Sequence, residues 1–159
     1  MKHVLAASMA SVFIGAALSG ATAEPMSENS ELLETIAREI VDCGELDGID
    51  WIEVSAIFAI DDDGDVNSSY GFAYDHTGNA HAAAFLYDPV EREVKRYREW
   101  LRLKGDKGFV KMLVQFNRET RRVNADFEYD NPARWQVTPN NVDMITRELQ
   151  PRLGSKPEH

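Results

Sequence analysis

The chain has 159 residues, of which 17 are Lys or Arg and 27 are Asp or Glu, so its formal net charge is −10. This acidic balance argues against nucleic acid or an anionic membrane as a partner, because both attract basic surfaces, and it favours a partner with a basic surface. The length suits one domain with one hydrophobic core. Cys43 is the only cysteine, which excludes an internal disulfide and leaves open whether the thiol is free or paired between molecules.

Residues 1–23 have the features of a secretory signal. Lys2 and His3 form a short basic start, residues 4–18 are apolar or small, and Ala21-Thr22-Ala23 matches an A-x-A cleavage motif. The apolar run is too short to be a good membrane span. We therefore expect a cleaved signal peptide over residues 1–23, a single α+β binding domain over residues 24–159, and a periplasmic location in a host with two membranes.

The first half of the mature chain predicts one helix followed by three strands. Apolar residues at helical spacing predict a helix from Ser30 to Asp42, with Ser30 as its N-cap. Alternating residues predict a strand over residues 51–60, and the Asp-Gly step within residues 61–65 predicts the hairpin turn that follows it. Two further strands are expected over residues 66–74 and 80–87.

The second half predicts a helix, a hairpin and a last helix. Asp88-Pro89 and Thr138-Pro139 both read as helix starts, with a capping side chain followed by proline. Between them, two alternating runs form a hairpin whose apolar faces coincide when the turn centres on Glu119-Thr120. That register places Phe116 opposite Val123 and Lys111 opposite Glu128, with the polar face exposed.

The predicted element order is α-β-β-β-α-β-β-α. This order indicates an α+β fold in which an antiparallel β-meander of about five strands packs against helices, with the helices on one face of the sheet.

Two groups of residues are candidates for binding a partner. The first is the acidic turn, in which neighbouring carboxylates repel one another unless a basic surface lies against them. The second combines the polar face of the last strand with an Arg-Trp pair, the residue types enriched at binding hot spots. The first group contains Asp61, Asp62, Asp63 and Asp65, and the second contains Asn124, Asp126, Glu128, Asp130, Arg134 and Trp135. The alternative for the pair is structural, with Trp135 packed beneath the last helix and Arg134 paired with Asp130.

No motif predicts a metal, a cofactor or catalysis. Aligning Gly64 with the invariant glycine of an EF-hand puts Tyr70 where a bidentate glutamate is required. His76 and His81 lack the spacing of a helical zinc pair. Asp126 and Glu128 lie on one face of a strand about 7 Å apart. They leave open an alternative function, a periplasmic small-ligand-binding protein or small hydrolase with a site on the sheet face near Tyr70 and Tyr74.

The end of the hairpin, F-x-Y-D from Phe127 to Asp130, precedes Trp135, and a helix over residues 32–41 leads into the Trp-headed strand over residues 51–60. Together these features resemble the YezG-like family of bacterial immunity proteins. The resemblance implies a non-catalytic antitoxin that neutralises a polymorphic toxin. Members of that family are typically cytoplasmic, whereas residues 1–23 of this chain predict export. We therefore expect an exported immunity protein that binds and occludes a toxin acting in the cell envelope. The identity of the toxin, the binding face and the oligomeric state stay open.

Overall fold

The computed structural model describes residues 27–154 together with the backbone of Val12–Phe13. Three helices and a six-stranded antiparallel sheet form the fold. The elements are β1 (Val12–Phe13), α1 (Glu28–Asp42), β2 (Trp51–Ile60), β3 (Val66–Asp75), β4 (Ala80–Ala83), α2 (Asp88–Leu103), β5 (Lys111–Asn117), β6 (Arg122–Glu128) and α3 (Val142–Glu148). From α1 onward the α+β class and the order α-β-β-β-α-β-β-α are confirmed. The predicted signal peptide, residues 1–23, lies outside the described residues except for β1.

The helix boundaries differ from the prediction by a few residues. Ser27, and not Ser30, caps α1, since the Ser30 backbone N–H donates to Ser27 Oγ at 3.1 Å. Two serines three residues apart offer the same local chemistry, and the earlier one adds a turn to the helix. Asp88, predicted to be the cap before Pro89, is instead the first residue of α2, and the N-cap is Tyr87, with no side-chain capping bond. Within the described residues, no helix has the length and apolar character needed to cross a membrane.

The predicted register of the second hairpin is confirmed. Phe116 lies opposite Val123 and Lys111 lies opposite Glu128, as the coinciding apolar faces require. The hairpin of β5 and β6 is not added beside β4, the last strand of the first half. Instead, β5 pairs with β2. The resulting strand order is β1-β6-β5-β2-β3-β4, with the chain crossing between the two parts through α2.

The sheet is covered on both faces, so the expectation that all helices share one face is wrong. α1 and α2 pack over a large core that includes Ile36 and Phe58. Ile57, the neighbour of Phe58 in β2, points to the other face and packs there with Ile145 of α3. Successive residues of a strand point to opposite faces, so two adjacent buried residues require cover on both sides.

The polar face of β5 is buried by α3 and the segment after it. Gln115 Nε2 donates to the Leu149 carbonyl oxygen at 2.9 Å, and Asn117 Nδ2 donates to Glu53 Oε2 at 2.9 Å. The backbone N–H of Leu153 donates to the same Glu53 oxygen at 2.9 Å. The prediction that this face is exposed is therefore wrong for β5, because the C-terminal segment returns across it.

Candidate functional site

Residues 130–137, called here the β6–α3 loop, carry the predicted Arg-Trp pair. Trp135 has a φ of 64°, in the left-handed region that non-glycine residues rarely adopt. Tyr70 Oη donates to the Trp135 carbonyl oxygen at 2.8 Å, and Lys111 Nζ donates to the Arg134 carbonyl oxygen at 2.8 Å. Side chains from two strands therefore hold the loop backbone in this conformation.

The Arg134 guanidinium joins two predicted site residues to the loop. It lies 3.2 Å from Asp126 Oδ2 and 3.2 Å from Glu128 Oε1, and its central carbon is 4.1 Å from the centre of the Trp135 ring. The predicted alternative, a pair between Arg134 and Asp130, is wrong: Asp130 lies 2.9 Å from Lys107 Nζ instead. The strand alternation places Asp126 and Glu128 on the same face, within reach of one arginine.

Glu128 also organises the start of the loop. Its Oε2 accepts hydrogen bonds from the backbone N–H groups of Asp130 at 3.0 Å and Asn131 at 2.8 Å. Burial acts to raise the pKa of Glu128, but these backbone donors and Arg134 outweigh it and hold the pKa below its ordinary value. The carboxylate is therefore a structural element of the loop as well as part of the surface.

The Trp135 side chain is half-buried. It packs together with Tyr70 and Val137 against the core on the α3 face. The indole is therefore covered on the sheet side, as the structural alternative requires, while Arg134 stacks on its ring. Arg134 and Trp135 thus form a cation–π pair, with the planar guanidinium over the indole ring.

The acidic turn is organised and partly neutralised by the chain itself. Asp61 Oδ1 accepts hydrogen bonds from the backbone N–H groups of Asp63 at 2.9 Å and Asp65 at 3.0 Å, and the Asp65 carboxylate pairs with Lys95 of α2. Asp62 and Asp63 are exposed. A cavity of about 420 Å³ beside the turn is lined mainly by cations of α2. Its lining comprises Asp63, Gly64, Arg92, Lys95, Arg96, Arg98, Glu99 and Arg102. The repulsion within the turn, from which a basic partner was predicted, is thus relieved in part by α2.

The acidic turn and the β6–α3 loop lie at the same end of the sheet. The Ile60 N–H donates to the Val110 carbonyl oxygen at 2.9 Å, and the Val110 N–H donates to the Glu128 carbonyl oxygen at 2.8 Å. Both groups of predicted partner-binding residues, apart from Asn124, therefore lie towards one end of the sheet, but the acidic turn contacts α2 whereas Trp135 packs on the α3 face. Asn124 lies farther along β6, opposite Gln115.

An open cavity of about 470 Å³ separates the β6–α3 loop from the strands beneath it. Its lining comprises Ala59, Ser68, Tyr70, Lys111, Pro132, Ala133, Gln136 and Val137. Of the residues considered for a ligand or hydrolase site, only Tyr70 lines this cavity. Tyr74 is buried and donates to the Thr146 carbonyl oxygen at 2.7 Å. Asp126 and Glu128 share one guanidinium and do not form a carboxylate pair facing the cavity.

Lys111 is buried, contrary to the prediction that the polar face of its strand is exposed. Read as a solvated partner of Glu128, it is in fact only 6% exposed, and its ammonium donates to Tyr70 Oη at 3.2 Å as well as to the loop. Burial lowers the pKa of Lys111, and the negative charge of Glu128 opposes that shift. The sequence does contain one indication that Lys111 is buried. Leu113, an apolar residue two positions along the same strand, lies on the same face and indicates that this face is covered.

His76, which follows β3, and His81, which lies in β4, each lie beside a carboxylate. His76 Nδ1 lies 3.3 Å from Asp50, and His81 Nε2 lies 2.9 Å from Asp75. Among residues 27–154, no three His, Cys, Asp or Glu side chains converge in a way that could hold a metal ion.

No protein-family model and no curated protein matches this chain.

Proposed function

We propose that this chain is an exported immunity protein that binds and occludes a cognate toxin in the cell envelope, without catalysis and without a cofactor. The main support for this proposal is the backbone conformation of the β6–α3 loop, in which Trp135 has a φ of 64°. A left-handed tryptophan costs about 1–2 kcal/mol relative to an ordinary backbone conformation. Such strain persists where the surrounding structure enforces it, and it concentrates at binding and catalytic sites. Here the Tyr70 and Lys111 hydrogen bonds enforce it.

The loop presents its side chains already ordered. Immobilising a flexible side chain on binding costs about 0.5–1.5 kcal/mol. Arg134 avoids part of this cost because Asp126 and Glu128 hold its guanidinium, and the Trp135 ring lies beneath it. This arrangement supports a role for Arg134 and Trp135 as the anchor of a protein interface.

Electrostatic steering in this proposal comes from a small part of the predicted acidic surface. Asp65 and Asp130 are paired with lysines of the chain itself, whereas Asp62 and Asp63 are exposed at the same end of the sheet. Together with the net charge of −10, they would speed association with a basic surface. The proposed partner is therefore a toxin with a basic face.

The test is protection of cells that receive, in the periplasm, a toxin encoded beside this gene. We expect the full chain to protect and Arg134→Gln to bind the toxin about thirtyfold more weakly, as for an interface anchor worth about 2 kcal/mol. Arg38→Gln is the matched control, because Arg38 of α1 is also a surface arginine beside a carboxylate, Glu34, at 3.1 Å. Failure of the full chain to neutralise any neighbouring toxin would contradict the proposal.

Export is tested separately. A chain lacking residues 1–23 should fold in the cytoplasm and give no protection against a toxin delivered to the envelope. Full protection by the shortened chain would place the interaction in the cytoplasm and remove the envelope from the proposal.

A further inference from the structure

Lys111 is a buried cation whose hydrogen-bond partners are neutral. Its Nζ donates to the Arg134 carbonyl oxygen and to Tyr70 Oη, and among the described residues no carboxylate lies within 4.0 Å of it. Tyr70 gives its own proton to the Trp135 carbonyl oxygen, so its oxygen can accept from the lysine. Burying an ammonium without a counter-ion is costly. The two bonds orient the charge but do not balance it.

Glu128 is the carboxylate whose charge affects the Lys111 pKa, but its oxygens already accept hydrogen bonds from other groups. Glu128 lies opposite Lys111 in the sheet, and its charge opposes the effect of burial on the lysine pKa. Its two oxygens, however, accept from Arg134 and from two backbone N–H groups of the loop. Glu128 therefore stabilises the β6–α3 loop. Lys111 faces the cavity, and no carboxylate of the described residues contacts its ammonium group.

The lining of the cavity divides into an apolar part and a polar part. Ala59, Pro132, Ala133 and Val137 form the apolar part, while Ser68 and Gln136 can donate hydrogen bonds beside Lys111. The volume of about 470 Å³ falls within the range of about 300–1,000 Å³ that is usual for small-ligand pockets. A ligand with an apolar body and one negatively charged group matches both parts.

We propose that this cavity binds a small carboxylate, with the carboxylate group at Lys111 and the apolar body between Ala59 and the β6–α3 loop. One buried ammonium is balanced by one negative charge, whereas a phosphate monoester carries about −1.5 to −2 at neutral pH. The site goes beyond the toxin-binding proposal and does not depend on it. A free organic acid and a glutamate side chain of another protein share the required chemistry.

Benzoate is a suitable probe, and benzamide is its neutral counterpart of nearly equal shape. Titration of the purified protein, followed by amide NMR signals, should give saturable shifts at Ser68, Tyr70 and Gln136 with benzoate and none with benzamide. Lys111→Met should weaken benzoate binding by about tenfold or more, since it removes a charge-assisted hydrogen bond. Lys104→Met, at an exposed lysine directly after α2, should bind benzoate as the wild type does.

A second variant tests the cavity without changing the lysine. Ala133→Trp fills the space from the exposed side of the loop, and it should abolish benzoate binding even if Lys111→Met fails to fold. Replacing benzoate by N-acetyl-glutamate N-methylamide distinguishes the source: tighter binding of benzoate supports a free organic acid, and tighter binding of the glutamate derivative supports a protein side chain. Equal binding of benzamide and benzoate, unchanged binding by Lys111→Met or Ala133→Trp, or no saturable shift with either carboxylate would overturn the proposal.

Discussion

Replacing Trp135 by alanine and by glycine separates the contribution of its side chain from the strain in its backbone. Both substitutions remove the indole, its stack with Arg134 at 4.1 Å and its packing on the α3 face. Only glycine also removes the Cβ atom that makes a φ of 64° unfavourable. The difference in stability between the two variants therefore reports the backbone alone.

The expected magnitudes follow from the surroundings of Trp135. Truncation of a fully buried tryptophan costs about 3–5 kcal/mol, so this half-buried ring should cost about 2 kcal/mol in both variants. Glycine should recover about 1–2 kcal/mol of left-handed strain and lose about 0.5–1 kcal/mol to its greater freedom in the unfolded chain. We therefore expect Trp135→Gly to be more stable than Trp135→Ala by about 0.5–1 kcal/mol.

Urea unfolding followed by the fluorescence of the two remaining tryptophans, Trp51 and Trp100, measures this difference. Ala133→Gly is the matched control, because Ala133 lies in the same loop with a negative φ and should lose about 0.5 kcal/mol on substitution. If Trp135→Ala is at least as stable as Trp135→Gly, the loop backbone is not strained. The proposed pre-organised interface would then lose its main support.

Three further predictions concern the sheet and its loops. Arg121→Gly should raise the free energy of unfolding by about 0.5–1 kcal/mol, because Arg121 also has a φ of 64°; a loss of stability would show that its side chain matters more than its backbone. Gly71→Ala should cost about 3 kcal/mol in urea unfolding, because the added Cβ would collide with the Ser55 carbonyl oxygen; an unchanged midpoint would show that β2 and β3 separate easily. Glu128→Gln should flatten the loss of stability on acidification. Since the folded pKa of Glu128 lies below the unfolded value of about 4.3, its contribution is present above that pH and is lost as pH falls through the folded pKa. Parallel pH profiles of the variant and the wild type would contradict this assignment.

The second hairpin was predictable in detail because its information is local. Both strands alternate, and only one register brings the apolar faces together, with Phe116 opposite Val123. The pairing of β5 with β2 was not predictable in this way. It joins residues far apart in the chain, and the alternation of β2 fits either neighbour equally well.

The surroundings of the polar residues depended on tertiary structure. Lys111 is buried because the β6–α3 loop folds back over β5, and no pattern within β5 encodes that return. Similarly, the Asp65 carboxylate meets Lys95, a residue on a separate helix. Hydrophobic periodicity predicts which face of an element is covered when the cover is apolar, but it carries little information on ion pairs across the fold.

The position of β1 has a consequence for the proposed export of the chain. β1 pairs only at the outer edge of the sheet, Val12 with Val123 and Phe13 with Arg122, while the described buried apolar residues run from Leu32 to Leu153. Cleavage after Ala23 would therefore remove an edge ladder and no residue of the described core. If the chain is exported as proposed, the precursor could close its core with residues 1–23 still attached. Translocation through a channel that accepts only unfolded chains would then have to occur before the hairpin of β5 and β6 docks on β2.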